Sequence, residues 1–201
     1  MAIHRPEDLG LPVKLDRDGL SAVSPTFLMA ARYTVYCRKS AANVTAVELL
    51  AGTRIADLHT IAEGEGIPEE AIVSALRQLR MENLGSSGFK FYRLCYRPDG
   101  NRQVDIERWQ TIEEVRTVVE EVLEDLEATS HSVLPRIRSR LAETVDIVDA
   151  SFGSSESERM APVLVSEVVR WLAEQFDGII RAADHSWWEL GPKYHEYKPI
   201  G

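Results

Sequence analysis

Hydrophobic residues recur at helical spacing through the middle of the chain. From Val44 three short segments show this pattern: VTAVELLAG, which Gly52 closes; RIADLHTIAEG, which Thr53 opens as an N-cap; and PEEAIVSALRQLRMENLG, in which Pro68 suits the first turn. A Gly-Glu-Gly turn separates the second segment from the third. In the third segment the apolar positions share one face: Ile72, Ala75, Leu76 and Leu79. The spacing predicts three helices.

Two β-rich runs follow these segments. GFKFYRLCYR and RQVDIERW are separated by Pro-Asp-Gly-Asn at residues 98–101, a sequence typical of a hairpin turn. Three helices followed by a hairpin is the element order of a winged helix-turn-helix module. We expect this module to span residues 44–109, after an N-terminal arm of residues 1–43 in which residues 27–37 form a strand or a helix.

The remainder, residues 110–201, is predicted to be helical. Its first helix carries apolar residues at alternating steps of three and four, a seam that predicts a partner helix and hence a dimer. The seam residues are Ile112, Val115, Val119, Val122 and Leu126. A second helix after Pro135 carries Ile137, Leu141, Val145 and Val148, and a third follows Pro162. The tail SWWELGPKYHEYKPIG is predicted to be irregular, with its tryptophans packed in the C-terminal core.

The central segment resembles the DNA-binding part of known regulators. TIAEGEGIPEEAIVSALRQLRMENLG resembles the helix-turn-helix of winged bacterial repressors, and SSGFKFYRLCYRPDG is similar to the wing strand of ArsR-type and PadR-type transcriptional regulators. The resemblance covers under a third of the chain, and the break at Pro135 and the third C-terminal helix are not part of the PadR pattern. The expected fold class is mainly α with a small β wing (α+β), a winged helix-turn-helix followed by a three-helix region.

The resemblance implies a DNA-binding transcriptional regulator that acts as a homodimer on a DNA duplex. The second helix of the motif would enter the major groove, with Ser74 and Arg77 at base edges and Arg80 on the same face. Phosphates would be bound by Lys90, Arg93 and Arg97. The same helix begins with Glu69 and Glu70, which suit a helix N-terminus better than a DNA surface.

The charge distribution supports a rival hypothesis. The net charge is −9, and residues 105–150 hold twelve acidic and five basic side chains, so DNA can approach only from the side of the module. A winged helix can also serve as a protein-interaction module, and the acidic chain suits a basic protein partner. A third hypothesis is an antagonist whose acidic helices occlude a nucleic-acid-binding partner.

The sequence contains few signs of other chemistry. The histidines and the two cysteines have no metal-ligand spacing, and the nucleophile-elbow, phosphate-loop and zinc-protease motifs are absent, so we expect no metal, no cofactor and no enzymatic activity. Cys37 and Cys95 are predicted to be small buried residues. The sequence has no apolar run long enough to cross a membrane and no secretion signal, which predicts a cytoplasmic protein.

Overall fold

A computed structural model describes residues 32–55, 57–85, 88–97, 103–128, 134–153, 159–193 and 196–200. These residues form eight strands: β1 (Arg32–Cys37), β2 (Arg80–Asn83), β3 (Phe91–Cys95), β4 (Gln103–Arg108), β5 (Asp146–Phe152), β6 (Gly178–Arg181), β7 (Trp187–Leu190) and β8 (Tyr197–Pro199). All eight belong to one antiparallel sheet, in the order β2-β3-β4-β5-β1-β6-β7-β8.

Six helices in the same residues cover the two faces of this sheet. They are α1 (Ala46–Ile55), α2 (Leu58–Gly64), α3 (Glu69–Gln78), α4 (Ile112–Ala128), α5 (Leu134–Ala142) and α6 (Met160–Phe176). Helices α1, α2, α3 and α6 share one hydrophobic core on the first face, which we call the α6 face. Helices α4 and α5 share a second core on the opposite face, the α4 face. The architecture is therefore three layers, with the sheet in the middle.

The centre of the molecule is built from β1 and α6. The two edges of β1 pair with β5 and β6, and its side chains alternate: Tyr33 and Val35 point to the α6 face and Tyr36 to the α4 face. A strand with a core on both faces favours aromatic and β-branched residues. Helix α6 is buried nearly all round, because it lies between the sheet and the helices α1 and α2.

The predicted fold class is wrong. The two strands of the predicted hairpin exist as β3 and β4, and their turn at residues 98–101 lies outside the described residues. However, β4 also pairs with β5, so the hairpin is an interior part of a large sheet and not a separate wing. Strands from all three predicted segments belong to this sheet. The pairings that join these segments, of β4 with β5 and of β1 with β5 and β6, are non-local, and local spacing carries no signal for them.

The helices before the hairpin are only partly as predicted. The third one is confirmed, since α3 begins directly after Pro68. Gly52 and Thr53 do not end one helix and start another, because both lie inside α1 and the Thr53 hydroxyl donates to the Leu49 carbonyl at 2.8 Å. Helix α2 is instead capped by Asp57. Residues 80–83, predicted as the end of the third helix, form β2.

Two further corrections concern the C-terminal region. The predicted second helix ends at Ala142, and its last apolar position, Val148, lies in β5. The spacing of three between Val145 and Val148 suits a helix, although the chain from Asp146 is extended and buried on both faces. The tail predicted to be irregular forms β7 and β8, and Trp187 and Trp188 are buried as expected. Residues 27–31, the start of the possible N-terminal strand, are not among those described, but β1 confirms a strand from Arg32.

The seam of α4 packs against the sheet of its own chain. Val115, Val119, Val122 and Leu126 are buried in the core of the α4 face, whereas Ile112 is exposed. Their neighbours in this core include Tyr36 and the apolar residues of α5. The sheet of the same chain thus covers the apolar seam. A helix from a second chain cannot reach these four residues without displacing the sheet.

Candidate functional site

The structure separates the predicted DNA-binding residues. Ser74 and Arg77 are exposed on α3, which covers the α6 face. In β2, Met81 packs towards the α6 face, so its neighbour Arg80 points the other way. In β3, Leu94 likewise packs towards the α6 face, and its neighbour Arg93 points the other way. Ser74 and Arg77, expected at base edges, therefore lie in a different layer from Arg80 and Arg93. Lys90 precedes β3, and Arg97 follows it.

Several of these cations are already bound to carboxylates. The Arg80 Nε lies 3.0 Å from Glu82, and the Arg93 Nε lies 2.9 Å from Asp105. Lys90 also acts on a carboxylate. Hydrogen bonds from Thr111, together with the positive charge of Lys90, hold the pKa of the Glu114 carboxyl below its usual range. Because phosphate binding needs available positive charge, internal pairing makes this a weak DNA surface.

The flanks of α4 face different surroundings. Glu127, on one flank, pairs with Arg138 of α5. Asp125, on the other flank, lies 3.9 Å from Arg181 of the sheet. Residues three or four apart share a helix flank, so Glu121 lies beside Asp125, on the flank of α4 opposite Glu127. The α4 face thus has a covered half and an open half.

The open half carries polar side chains in cross-strand rows. In an antiparallel sheet directly paired residues point to the same face. One row joins β3, β4, β5 and β1 through directly paired residues: Arg93, Asp105, Ser151 and Arg32. The next row joins β4, β5, β1 and β6: Glu107, Asp149, Thr34 and Arg181. Four strands spaced ~4.8 Å apart make each row about 14 Å long.

Asp149 anchors the floor of this surface. Its carboxylate accepts hydrogen bonds from Arg32 at 2.5 Å, from the Thr34 hydroxyl at 2.6 Å and from the indole N–H of Trp109 at 2.9 Å. The side chain of Asp149 is only 6% exposed, whereas that of Arg32 is 59% exposed. A buried carboxylate with three donors is satisfied and rigid. Asp149 therefore positions Arg32 and Trp109 and is not itself free to bind a partner.

We call the open surface the acidic strip and define it by its charged residues. These are Asp105, Glu107, Glu121, Asp125 and Asp149, with Arg32, Arg93 and Arg181. Five carboxylates against three guanidinium groups leave a net charge of −2. Glu107 and Glu121 are exposed and make no ion pair in the part of the chain that the structure describes. The strip can therefore bind positive charge without breaking an internal pair.

Where the strip borders the covered half of the α4 face, a charged side chain lies against aromatic rings. Arg181 lies 5.7 Å from the ring of Trp187, which also contacts Tyr36. Burial raises the pKa of Tyr36 to about 12, although the nearby Arg181 acts to lower it. The phenol consequently stays neutral and serves as part of the core.

A second buried carboxylate has a structural role on the opposite side of β5. Asp146 accepts from the backbone N–H of Ala41 at 2.8 Å and from the Ser40 hydroxyl at 3.1 Å, and it pairs with Arg108 at 2.8 Å. This ion pair leaves the Arg108 side chain only 14% exposed. The pair joins the end of β1 to β4 and β5.

The acidic strip was not visible in the sequence. Its floor comes from four strands, and two of them, β1 and β5, are more than 100 residues apart, as the bond between Thr34 and Asp149 shows. The excess of acidic residues over positions 105–150 is evident in the sequence, but it does not show that part of α4 borders strands of the sheet. The one available signal was the pair of aspartates in DIVDASF, because a buried strand with two carboxylates requires polar partners.

Comparisons with family models, curated proteins and solved structures found no match to this chain. Within the described residues, none of the helices has the length and apolar character needed to cross a membrane. The same residues contain no group of three or more histidine, cysteine, aspartate or glutamate side chains arranged to hold a metal ion.

Proposed function

We propose that this protein binds a basic segment of another protein along the acidic strip. The observation that carries the proposal is the position of Glu107 and Glu121, two exposed carboxylates without ion pairs in the described structure, beside a row of charges that already neutralise one another. Cationic side chains of a partner can pair with these two carboxylates without displacing an internal ion pair. Such complementarity provides specificity and speeds association.

The dimensions of the strip favour a peptide over a small molecule. Sites for small molecules are concave and mostly apolar. The strip is a shallow, polar sheet surface about 14 Å long, which matches roughly four residues of extended chain at ~3.3 Å each. A lysine- or arginine-rich segment that runs across the strands along α4 can place one cationic side chain against Glu107 and another against Glu121.

Charge-reversal variants test the position of binding. We would measure the anisotropy of a labelled lysine-rich peptide with the double variant Glu107→Lys, Glu121→Lys. The matched control is Glu113→Lys, Glu120→Lys, which changes the net charge equally on exposed residues of α4 outside the strip. We expect affinity to fall at least about tenfold in the first variant and much less in the control. An equal loss in both variants would show only general attraction to an acidic protein and would contradict the proposal.

The DNA-binding hypothesis is the rival, since Ser74 and Arg77 are exposed on α3. Duplex DNA of random sequence, titrated at ~50 and ~200 mM salt, separates the two. We expect no salt-dependent binding by the unchanged protein. Binding that Arg77→Glu abolishes and that the strip variant retains would overturn our proposal in favour of a DNA-binding regulator.

A further inference from the structure

A second concave region lies at the end of the sheet, away from the acidic strip. It has a volume of about 690 Å³ and is bordered by the end of α6, by α5 and by the turn from β7 to β8. This volume is within the range of ligand sites, about 300–1000 Å³. The lining is polar: its charged residues are Lys39, Arg140, Arg170, Lys193, Glu174, Asp177, Glu189 and Glu196.

Each carboxylate of this cavity is held by a cation. Glu174 accepts from Arg170 at 2.8 Å, and Asp177 accepts from Arg140 at 3.1 Å and also from Arg38. Glu189 pairs with Arg136 of α5. Arg38 and Arg136 do not themselves line the cavity. The carboxylates are therefore not available to attract a cationic ligand.

Glu196 has its own partners in the turn between β7 and β8. Its carboxylate accepts from the backbone N–H of Lys193 at 3.2 Å and lies 3.9 Å from the Lys198 ammonium group. The turn is close to Gly191, where a Cβ would meet the Glu196 carboxylate at 2.3 Å. Glycine at this position allows the carboxylate to fold under the turn, which places Lys193 at the mouth of the cavity.

Two lysines differ from the other lining charges. The ammonium groups of Lys39 and Lys193 have no carboxylate partner in the described part of the chain. Both residues line the cavity, although they are far apart in the sequence. Below them, Arg170 forms a floor that is 3% exposed and is fixed by Glu167 at 2.9 Å. The cavity thus presents two unpaired positive charges above a rigid, ion-paired base.

We propose that this cavity binds a small molecule that carries at least two negative charges, as phosphoryl or carboxylate groups. Lys39 and Lys193 are the binding residues, and Arg140 and Arg170 shape the site while remaining paired. Charge-assisted hydrogen bonds to an ammonium group are the interactions that such a ligand provides. The proposal is independent of the acidic strip, because the two sites share no residue.

Inorganic pyrophosphate and citrate are the probes, measured separately by titration calorimetry at low salt. We expect at least one of them to bind, and the two probes distinguish a phosphoryl site from a carboxylate site. The double variant Lys39→Gln, Lys193→Gln should weaken that binding at least about tenfold. The control Lys90→Gln removes an exposed lysine that does not line the cavity and should leave the affinity unchanged.

The proposed site would be refuted if neither probe binds, or if the double variant binds as tightly as the unchanged protein. It would also be refuted if Lys90→Gln weakens binding as much as the double variant does. All the substituted lysines are exposed, so the variants should fold, and circular dichroism confirms this before each titration. Binding of a lysine-rich peptide to the acidic strip is measured on the same samples and should not change.

Discussion

The two faces of the sheet are both covered by helices, but they are closed to different degrees. On the α6 face four helices bury a continuous apolar core. On the α4 face two helices cover only part of the sheet, and the remainder carries rows of charged residues. A face closed by helices contributes mainly to stability, whereas a half-open face can also bind. The predictions below test this division of roles, beginning with the α6 face.

The closed face should tolerate no added volume between α1 and α6. A Cβ at Gly52 would lie 2.2 Å from the Trp171 indole, so Gly52→Val must push the two helices apart. We expect a loss of about 3 kcal/mol in the free energy of unfolding, measured with urea. Trp171→Ala in the same chain removes the clash, and the double variant should be more stable than the sum of the single effects predicts. Strict additivity would show that the two residues do not compete for space.

On the half-open face the largest effect should come from Asp149. Asp149→Ala leaves Arg32, Thr34 and Trp109 without their common acceptor, and we expect a loss of about 2 kcal/mol in unfolding free energy. Asp105→Ala is the matched control, because its half-exposed pair with Arg93 should contribute less than about 1 kcal/mol. A greater loss in the control would mean that the floor of the strip is organised around a different residue.

Alkaline pH should weaken the covered half of the α4 face. Burial raises the pKa of Tyr36 to about 12, and in the unfolded chain a tyrosine titrates near 10. The stabilisation is complete below pH ~10 and is lost as the pH rises towards ~12, with a loss on the order of 1 kcal/mol at pH ~11. Urea unfolding of Tyr36→Phe across this range should show a smaller decrease. An unchanged decrease would assign the effect to other buried groups, such as Tyr33 and Cys37, whose pKa values burial also raises.

We expect the smallest effect on stability at Asp177. Burial opposes ionisation of this residue, but Arg38 and Arg140 outweigh it and hold its pKa below the usual range. Its contribution is present above the unfolded pKa, near ~3.9, and is lost as the pH falls through the lower folded value. Asp177→Asn suits the left-handed backbone at this residue, φ 52°, and should reduce the stability gained between pH ~2 and ~5. Identical acid profiles for both proteins would refute this role.

Elements with local determinants could be predicted from the sequence. Helix α3 follows Pro68, and the apolar seam of α4 marks a real helix with one buried side. The sequence did not show what that seam contacts, because a dimer partner and a sheet demand the same spacing. The acidic strip and β5 were missed for a related reason: cross-strand neighbours such as Thr34 and Asp149 are 115 residues apart. Local periodicity contains no record of such contacts.

The central position of β1 also affects how this chain folds as it is synthesised. Both neighbours of β1, β5 and β6, come from beyond residue 145, so its edges remain unpaired until more than 100 further residues have been added. At a synthesis rate of ~5–20 residues per second this delay is roughly 10 seconds. During that time an aromatic, β-branched strand presents two open edges to its surroundings. Production of this protein in cells should therefore depend more on chaperones than its final stability suggests.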